Sequence, residues 1–85
     1  MGEDYEITKQ HVSGDEEHVA FTFRLGDRTT KAVISRSALV TMDRIPDRHI
    51  HWIFEENLAV IAEAAGRKLA STEVGRTLQL GSDDF

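Results

Sequence analysis

The stretch IHWIFEENLAVIAEAAGRKL, residues 50–69, decides the fold of this chain. Its apolar side chains recur every three or four residues, the spacing that places them on one face of an α-helix. They are Ile50, Ile53, Phe54, Leu58, Ile61, Ala62, Ala65 and Leu69. A helix with so long an apolar stripe must bury it against another element, so the rest of the chain has to provide a cover.

A β-hairpin earlier in the sequence provides that cover. Residues 18–25 alternate apolar and polar side chains, which is typical of a half-buried strand. Gly26 and Asp27 suit a two-residue type II′ turn with glycine first, so residues 28–34 should return antiparallel. The turn then pairs Leu25 with Arg28, Phe23 with Thr30, Phe21 with Ala32 and Val19 with Ile34. This register puts the apolar residues of both strands on one face, and a slip of one residue would destroy the agreement.

A weaker strand is predicted at residues 5–12, ahead of a turn at residues 13–16. Tyr5, Ile7 and Val12 do not keep one alternation, and charged residues intervene. We expect this segment to be an edge strand, whose polarity discourages pairing with a second molecule.

A short helix is predicted to follow the hairpin over about residues 36–44. Ser35 and Ser37 are both plausible N-caps for it. Pro46 should end it, and the long helix should then begin near Asp47 and run to about residue 69.

The end of the long helix is left open by Gly66, which is either an early C-cap or an interior glycine. Residues 71–75 are then a loop, and residues 76–80 a short strand with Leu78 and Leu80 facing inward. The tail, residues 81–85, should be loose unless Phe85 packs back onto the domain.

These elements make a single α+β domain spanning residues 1–85, with residues 1–4 loose at its start. An antiparallel β-meander is covered on one face by a long amphipathic helix. A short helix precedes that helix, and a short C-terminal strand joins the sheet.

Composition narrows the classes of protein to consider. The chain has 85 residues, 40% of them hydrophobic, and no cysteine, so we expect neither disulfides nor thiolate metal ligands. The first residues are acidic where a signal peptide would carry lysines, and the apolar runs are too short to span a membrane. A cytoplasmic protein is the expectation.

The net charge of −5 is unevenly distributed. Residues 1–20 carry −5 and residues 51–85 carry −3, whereas residues 21–50 carry +3. Whether the basic third forms a patch depends on how the fold brings the three parts together.

The chain resembles a family of small bacterial proteins catalogued as Domain of Unknown Function 1488. The resemblance rests on the segments VAFTFRLGDRTTKAVISRSAL, FEENLAVIAEAAGRKL and LQLGSDDF, which lie within residues 18–85. It includes the pattern of Ile34, Ser35, Ala38 and Leu39 after the hairpin, the pair Phe54 and Asn57, and a final Asp-Phe. The resemblance implies a small bacterial α+β domain and carries no assigned catalytic or binding residues.

No combination of residues indicates catalysis or a cofactor. His49 and His51 lie two apart, about 200° around a helix, so they cannot chelate one ion together if the helix has already begun at His49. Helix capping explains Ser35 and Ser37 more simply than a nucleophilic role. We therefore expect no enzyme activity, no metal and no cofactor.

Nucleic-acid binding is the alternative function that the basic third suggests. The residues that would carry it are Arg24, Arg28, Lys31, Arg36, Arg44 and Arg48. Arg24 and Lys31 should lie on the sheet face opposite the phenylalanines, but that face has no aromatic residue to stack on a base. The simpler interpretation, which we favour, is that acidic residues of the first strand neutralise these basic residues within the same molecule.

Trp52 is predicted to point away from the apolar stripe. One interpretation is that it packs on Pro46 or on the first helix. Otherwise Trp52, Val60 and His49 form a second, smaller apolar surface for a protein partner or a second copy of the chain. The function we expect is a non-catalytic interaction or regulatory module.

Overall fold

The computed structural model describes residues 4–43, 49–73 and 75–85 of the chain. Within these residues the elements are β1 (Tyr5–Val12), β2 (His18–Leu25), β3 (Arg28–Ser35), α1 (Arg36–Met42), α2 (Ile50–Glu56), α3 (Leu58–Ala70), β4 (Leu78–Leu80) and a 3-10 helix at Ser82–Asp84. The strands form one sheet in the order β1-β2-β3-β4. The helices pack on one face of it, which confirms the predicted α+β fold.

The hairpin of β2 and β3 has the predicted register. Leu25 lies opposite Arg28, Phe21 opposite Ala32, and Val19 opposite Ile34. Gly26 has a φ of +60°, but Asp27, the second turn residue, does not have a positive φ. The described non-glycine residues with positive φ are Lys9 and Glu16. Only the first turn position is therefore left-handed, as a type II′ turn requires.

A β-bulge in β1 explains why its apolar residues do not share one alternation. Thr8 pairs with Thr22 and His11 with Ala20, so Lys9 and Gln10 together oppose the single residue between those partners. One extra residue reverses the side on which the following residues point. Ile7 and Val12 therefore both pack against the core.

The long helix is divided in two, so the prediction of one continuous helix to residue 69 is wrong. Asn57 separates α2 from α3 with φ −120° and ψ 25°. Its side-chain Nδ2 donates to the Ile53 carbonyl at 2.8 Å, and its backbone N–H donates to the Phe54 carbonyl at 3.2 Å. This local bonding competes with the regular helical pattern. Both helices still bury their apolar sides in one core.

The starts of α1 and α2 are set by side-chain caps. The Ser35 hydroxyl accepts a hydrogen bond from the Ala38 N–H at 3.1 Å, which confirms one of the two predicted caps. α2 begins at Ile50 with His49 as its cap, three residues later than predicted, because His49 Nδ1 accepts from the His51 N–H at 3.1 Å. The predictions for Pro46 and Asp47 lie outside the described residues.

The end of the chain is anchored, so the expectation of a loose tail at residues 81–85 is corrected. Lys68 Nζ lies 3.1 Å from Asp84 Oδ2, and the Gly81 N–H donates to the same carboxylate oxygen at 2.8 Å. Phe85 packs against the core, the alternative that the sequence allowed. At the other end, the Asp4 carbonyl accepts from the Gly26 N–H at 3.1 Å, and residues 1–3 lie outside the described part.

The sheet has one covered face and one open face. Phe21, Phe23 and Ile34 point toward the helices and are buried, and the Phe21 and Phe54 rings lie 5.2 Å apart. β4 pairs parallel to β3, with all three helices in the connection between them. Thr22, Arg24 and Lys31 point to the other side, where no described helix lies, as the alternation predicts.

Candidate functional site

The residues predicted to form a second apolar surface lie on the outside of the helices. Trp52 is 59% exposed and Val60 is 48% exposed. The Trp52 ring meets the His51 ring edge-on at 5.4 Å between centroids. Exposure of this size leaves most of the indole available to solvent or to another molecule.

His49 has a structural role that the sequence did not predict. Besides capping α2 through Nδ1, it places Nε2 3.0 Å from Glu16 Oε1. Because Nδ1 must accept a hydrogen bond to cap the helix, the proton lies on Nε2 and is donated to Glu16. Both ring nitrogens are engaged, so His49 is a weaker candidate for a partner contact than Trp52 or Val60.

An apolar groove lies between the start of the sheet and α3, and we call it the α3 groove. Its volume is about 540 Å³, and it is lined by Tyr5, Leu25, Ala59, Ala62, Glu63, Gly66 and Arg67. The methyl groups of Ala59 and Ala62 are small and Gly66 has no side chain, so the space above the strands stays open. Glu63 and Arg67 form an ion pair at 2.9 Å, so both charges are present in the lining.

Sequence reasoning missed this groove because it depends on contacts between distant segments. Tyr5 and Gly66 belong to opposite ends of the chain, and only the packing of α3 on β1 brings them together. The available signal was the spacing of Ala59, Ala62 and Gly66 on one side of α3, but only Ala62 belongs to the predicted apolar stripe, and Gly66 was considered only as a possible helix end.

The four basic residues of the central third that the structure describes do not converge on one site. Arg24 lies 3.3 Å from Glu6 Oε1 and also donates to the Gly26 carbonyl, while Arg36 donates to the Glu16 carbonyl at 3.4 Å. Arg28 is exposed at the end of the hairpin, and Lys31 is exposed on the open face. Arg44 and Arg48 lie outside the described residues. The contact between Arg24 and Glu6 is the charge match expected with the first strand.

A second cavity lies on the open face of the sheet, and we call it the sheet cleft. Its volume is about 560 Å³, and its lining is Lys9, Thr22, Thr29, Thr30, Lys31, Gly75, Arg76 and Thr77. Lys31 was a predicted candidate. Lys9 and Arg76 were missed, because the bulge in β1 and the crossover to β4 bring them to this face.

In the part of the chain that the structure describes, Asp84 and Asp15 have lowered pKa values, and both serve the fold. Burial raises the pKa of Asp84, but the Gly81 N–H and Lys68 outweigh it and hold that pKa below its usual value. The hydrogen bonds from Ser13 and from the Glu17 N–H lower the pKa of Asp15 in the turn after β1. Neither group lines the α3 groove or the sheet cleft.

The serines and histidines form no reactive arrangement within the described residues. Ser35 and Ser37 share a hydrogen bond at 3.1 Å beside the helix cap. In the same part of the chain, no three His, Asp or Glu side chains are grouped as a metal site would require. No helix among the described residues is long and apolar enough to cross a membrane.

Comparison of the chain with family models, curated proteins and solved structures finds no match. The resemblance to Domain of Unknown Function 1488 therefore stays a prediction.

Proposed function

We propose that the protein is a non-catalytic interaction module of the bacterial cytoplasm, and that the α3 groove receives an apolar side chain of a partner protein. The observation that carries this proposal is a groove of about 540 Å³ bordered by exposed apolar residues. Tyr5, in its lining, is 45% exposed, and Val60, next to Ala59 on α3, is 48% exposed. Apolar pockets of this size commonly receive ligands or the anchor residues of partners.

The charges around the groove favour a protein over a nucleic acid. Glu63 and Arg67 neutralise each other, and the remaining lining residues carry no charge. Association with nucleic acid depends on an excess of cations against phosphates, which this surface lacks. An uncharged apolar depression with a polar rim is typical of the centre of a protein interface.

The test is a comparison of two arginine substitutions on α3. Ala59→Arg introduces a long charged side chain into the groove, and Ala70→Arg introduces the same side chain at an exposed position outside it. Tagged wild type and both variants are used to capture proteins from extracts of the native organism, with nuclease added. We expect wild type and Ala70→Arg to retain the same proteins and Ala59→Arg to lose them. Equal capture by all three proteins contradicts the proposal, as does loss of all captured material with nuclease.

A second copy of the chain is one partner that can be tested directly. Sedimentation of wild type, Trp52→Ala and Ala59→Arg at several concentrations measures self-association. If wild type dimerises, we expect one or both substitutions to weaken the dimer, because each changes an exposed residue of the helical surface. A monomer in all three samples excludes the homodimer and leaves a different protein as the partner.

A further inference from the structure

The sheet cleft brings together three cations and a set of hydroxyl groups. Lys9 comes from β1, Lys31 from β3, and Arg76 from the segment that leads into β4. Thr22, Thr29 and Thr77 add hydroxyl groups to the lining, and the cleft contains no carboxylate among the described residues. In a chain with a net charge of −5, this is a local excess of positive charge.

The two lysines of the cleft have no ion-pair partner within the described part of the chain. Arg76 lies 3.5 Å from Glu73, but these side chains are 73% and 83% exposed, so the pair is weak. Arg24, on the same face of the sheet, differs from the two lysines because it lies 3.3 Å from Glu6 and also donates to the Gly26 carbonyl. The positive charge of the cleft is therefore largely uncompensated by the protein itself.

Lys9 reaches the cleft through a strained backbone. It lies in the bulge of β1 with a φ of +55°, a conformation that L-residues rarely adopt. Gln10, the other residue of the bulge, points to the opposite face and donates to Glu55 of α2 at 3.0 Å. Glycine would adopt the backbone of residue 9 with less strain, so backbone geometry alone does not explain a lysine there. Bulges are frequent where a side chain is re-aimed at a functional site.

The segment before β4, which forms one side of the cleft, is held in position by a hydrogen bond. The Thr30 hydroxyl donates to the Arg76 carbonyl at 3.0 Å and ties the segment before β4 to β3. Arg76 and Thr77 are thus fixed beside Lys31, although they lie more than forty residues away in sequence. The cleft is a product of the fold and not of one flexible loop.

We propose that the sheet cleft binds a phosphate group. Ammonium and guanidinium groups with neighbouring hydroxyls are the donors that phosphate oxygens accept from. The lining has no aromatic side chain to stack on a base, so the phosphate, and not a base, is the recognised part. The phosphate can come from a small phosphorylated molecule or from a nucleic-acid backbone. The site is separate from the α3 groove, and its test does not depend on the proposed protein partner.

Amide NMR titrations at low ionic strength test the proposal with two probes, inorganic pyrophosphate and a short oligothymidylate. Sodium chloride at matched ionic strength is the control for both. We expect the largest shifts at the amides of Thr22, Lys31 and Thr77. Shifts with both probes indicate a nucleic-acid backbone, and shifts with pyrophosphate alone indicate a small phosphorylated ligand. A single strand bound by three cations should show a clear salt dependence. In a plot of the logarithm of the binding constant against the logarithm of the salt concentration, the slope should be about −2.

Three substitutions separate this cleft from general attraction of anions. Lys9→Gly and Lys31→Gln each remove one cation of the cleft, and Arg28→Gln removes one exposed cation of β3 that lies outside it. Loss of a charged hydrogen bond should weaken binding about tenfold for each cleft variant, where tenfold corresponds to 1.4 kcal/mol. Arg28→Gln should bind like wild type. The proposal is overturned if neither probe shifts the cleft amides, or if Arg28→Gln weakens binding as much as the cleft variants.

Discussion

The covered and open faces of the sheet are built by different kinds of interaction. On the covered face, Phe21, Phe23 and Ile34 are packed beneath the helices, and stability depends on apolar contact. On the open face, Thr22 and Lys31 remain in contact with solvent, and the arrangement depends on a bulge and on one hydrogen bond from Thr30. The same alternation along β2 and β3 therefore creates a core on one side and leaves a surface free for polar groups on the other.

Removing a ring from the helices that pack on the covered face should have the largest effect on stability. Phe54→Ala deletes a fully buried side chain that contacts Phe21. We expect a loss of about 3–5 kcal/mol in the free energy of unfolding, measured by urea denaturation. Trp52→Ala, which truncates an aromatic residue on the solvent side, is the control and should change stability by no more than about 0.5 kcal/mol. Equal losses for the two variants would show that Trp52 is part of the packing.

The anchored tail extends the covered side to the end of the chain, and its contribution should depend on pH. Asp84→Asn removes the ion pair with Lys68 but keeps an oxygen that can accept from the Gly81 N–H. Because the two side chains are 34% and 26% exposed, we expect a loss of only about 0.5–1 kcal/mol near neutral pH.

The sign of the pH dependence follows from the lowered pKa of Asp84. A carboxyl whose pKa is lower in the folded state contributes stability above its unfolded value of 3.8, and this contribution is lost as the pH falls through the folded pKa. The stability difference between wild type and Asp84→Asn should therefore disappear in acid. Asp83→Asn, at the exposed neighbouring position, is the control for a change in net charge. A difference that persists in acid would contradict the assignment.

Gly66 lies at the boundary of the covered side, where the α3 groove leaves space above Leu25. A Cβ atom at residue 66 would meet Leu25 Cδ2 at 3.6 Å, an ordinary contact. Gly66→Ala should therefore stabilise the domain by about 0.5–1 kcal/mol, because alanine favours a helix interior over glycine. Thermal unfolding measures the gain. A loss of stability would mean that α3 lies closer to the strands than this distance indicates.

The covered face could be predicted from the sequence because few strand registers bury all of its apolar side chains on one side of the sheet. Once Gly26 and Asp27 close the hairpin, only one register buries Phe21 and Phe23 together with Ala32. The break at Asn57 was missed because asparagine has only a weak preference against helix, and its bond to Ile53 appears only in the folded chain.

The open face and the α3 groove were less accessible to sequence reasoning. Val12 falls on the wrong alternation relative to Ile7, which indicates an extra residue in β1 but does not locate it. Arg76 reaches the cleft only because β4 returns parallel to β3, and no local pattern encodes that pairing. The sites proposed on both surfaces combine residues from distant segments, whereas the core is encoded by short repeating patterns.

The smallest net effect is expected for Lys9→Gly, because two opposing contributions partly cancel, and this variant is the most informative about the open face. A left-handed conformation costs an L-residue about 1–2 kcal/mol, and glycine in a strand loses about 0.5–1 kcal/mol through its greater freedom when unfolded. Lys9→Gly should therefore be neutral or more stable by about 1.5 kcal/mol at most. Lys9→Val removes the same charge but places a β-branched residue at a φ of +55°, so it should be less stable by at least about 1 kcal/mol. Urea denaturation of both variants measures the contrast. If Lys9→Gly is instead destabilising, the lysine side chain supports the fold. If the stability of Lys9→Gly is unchanged while its phosphate binding is about tenfold weaker, the strained conformation of Lys9 serves ligand binding.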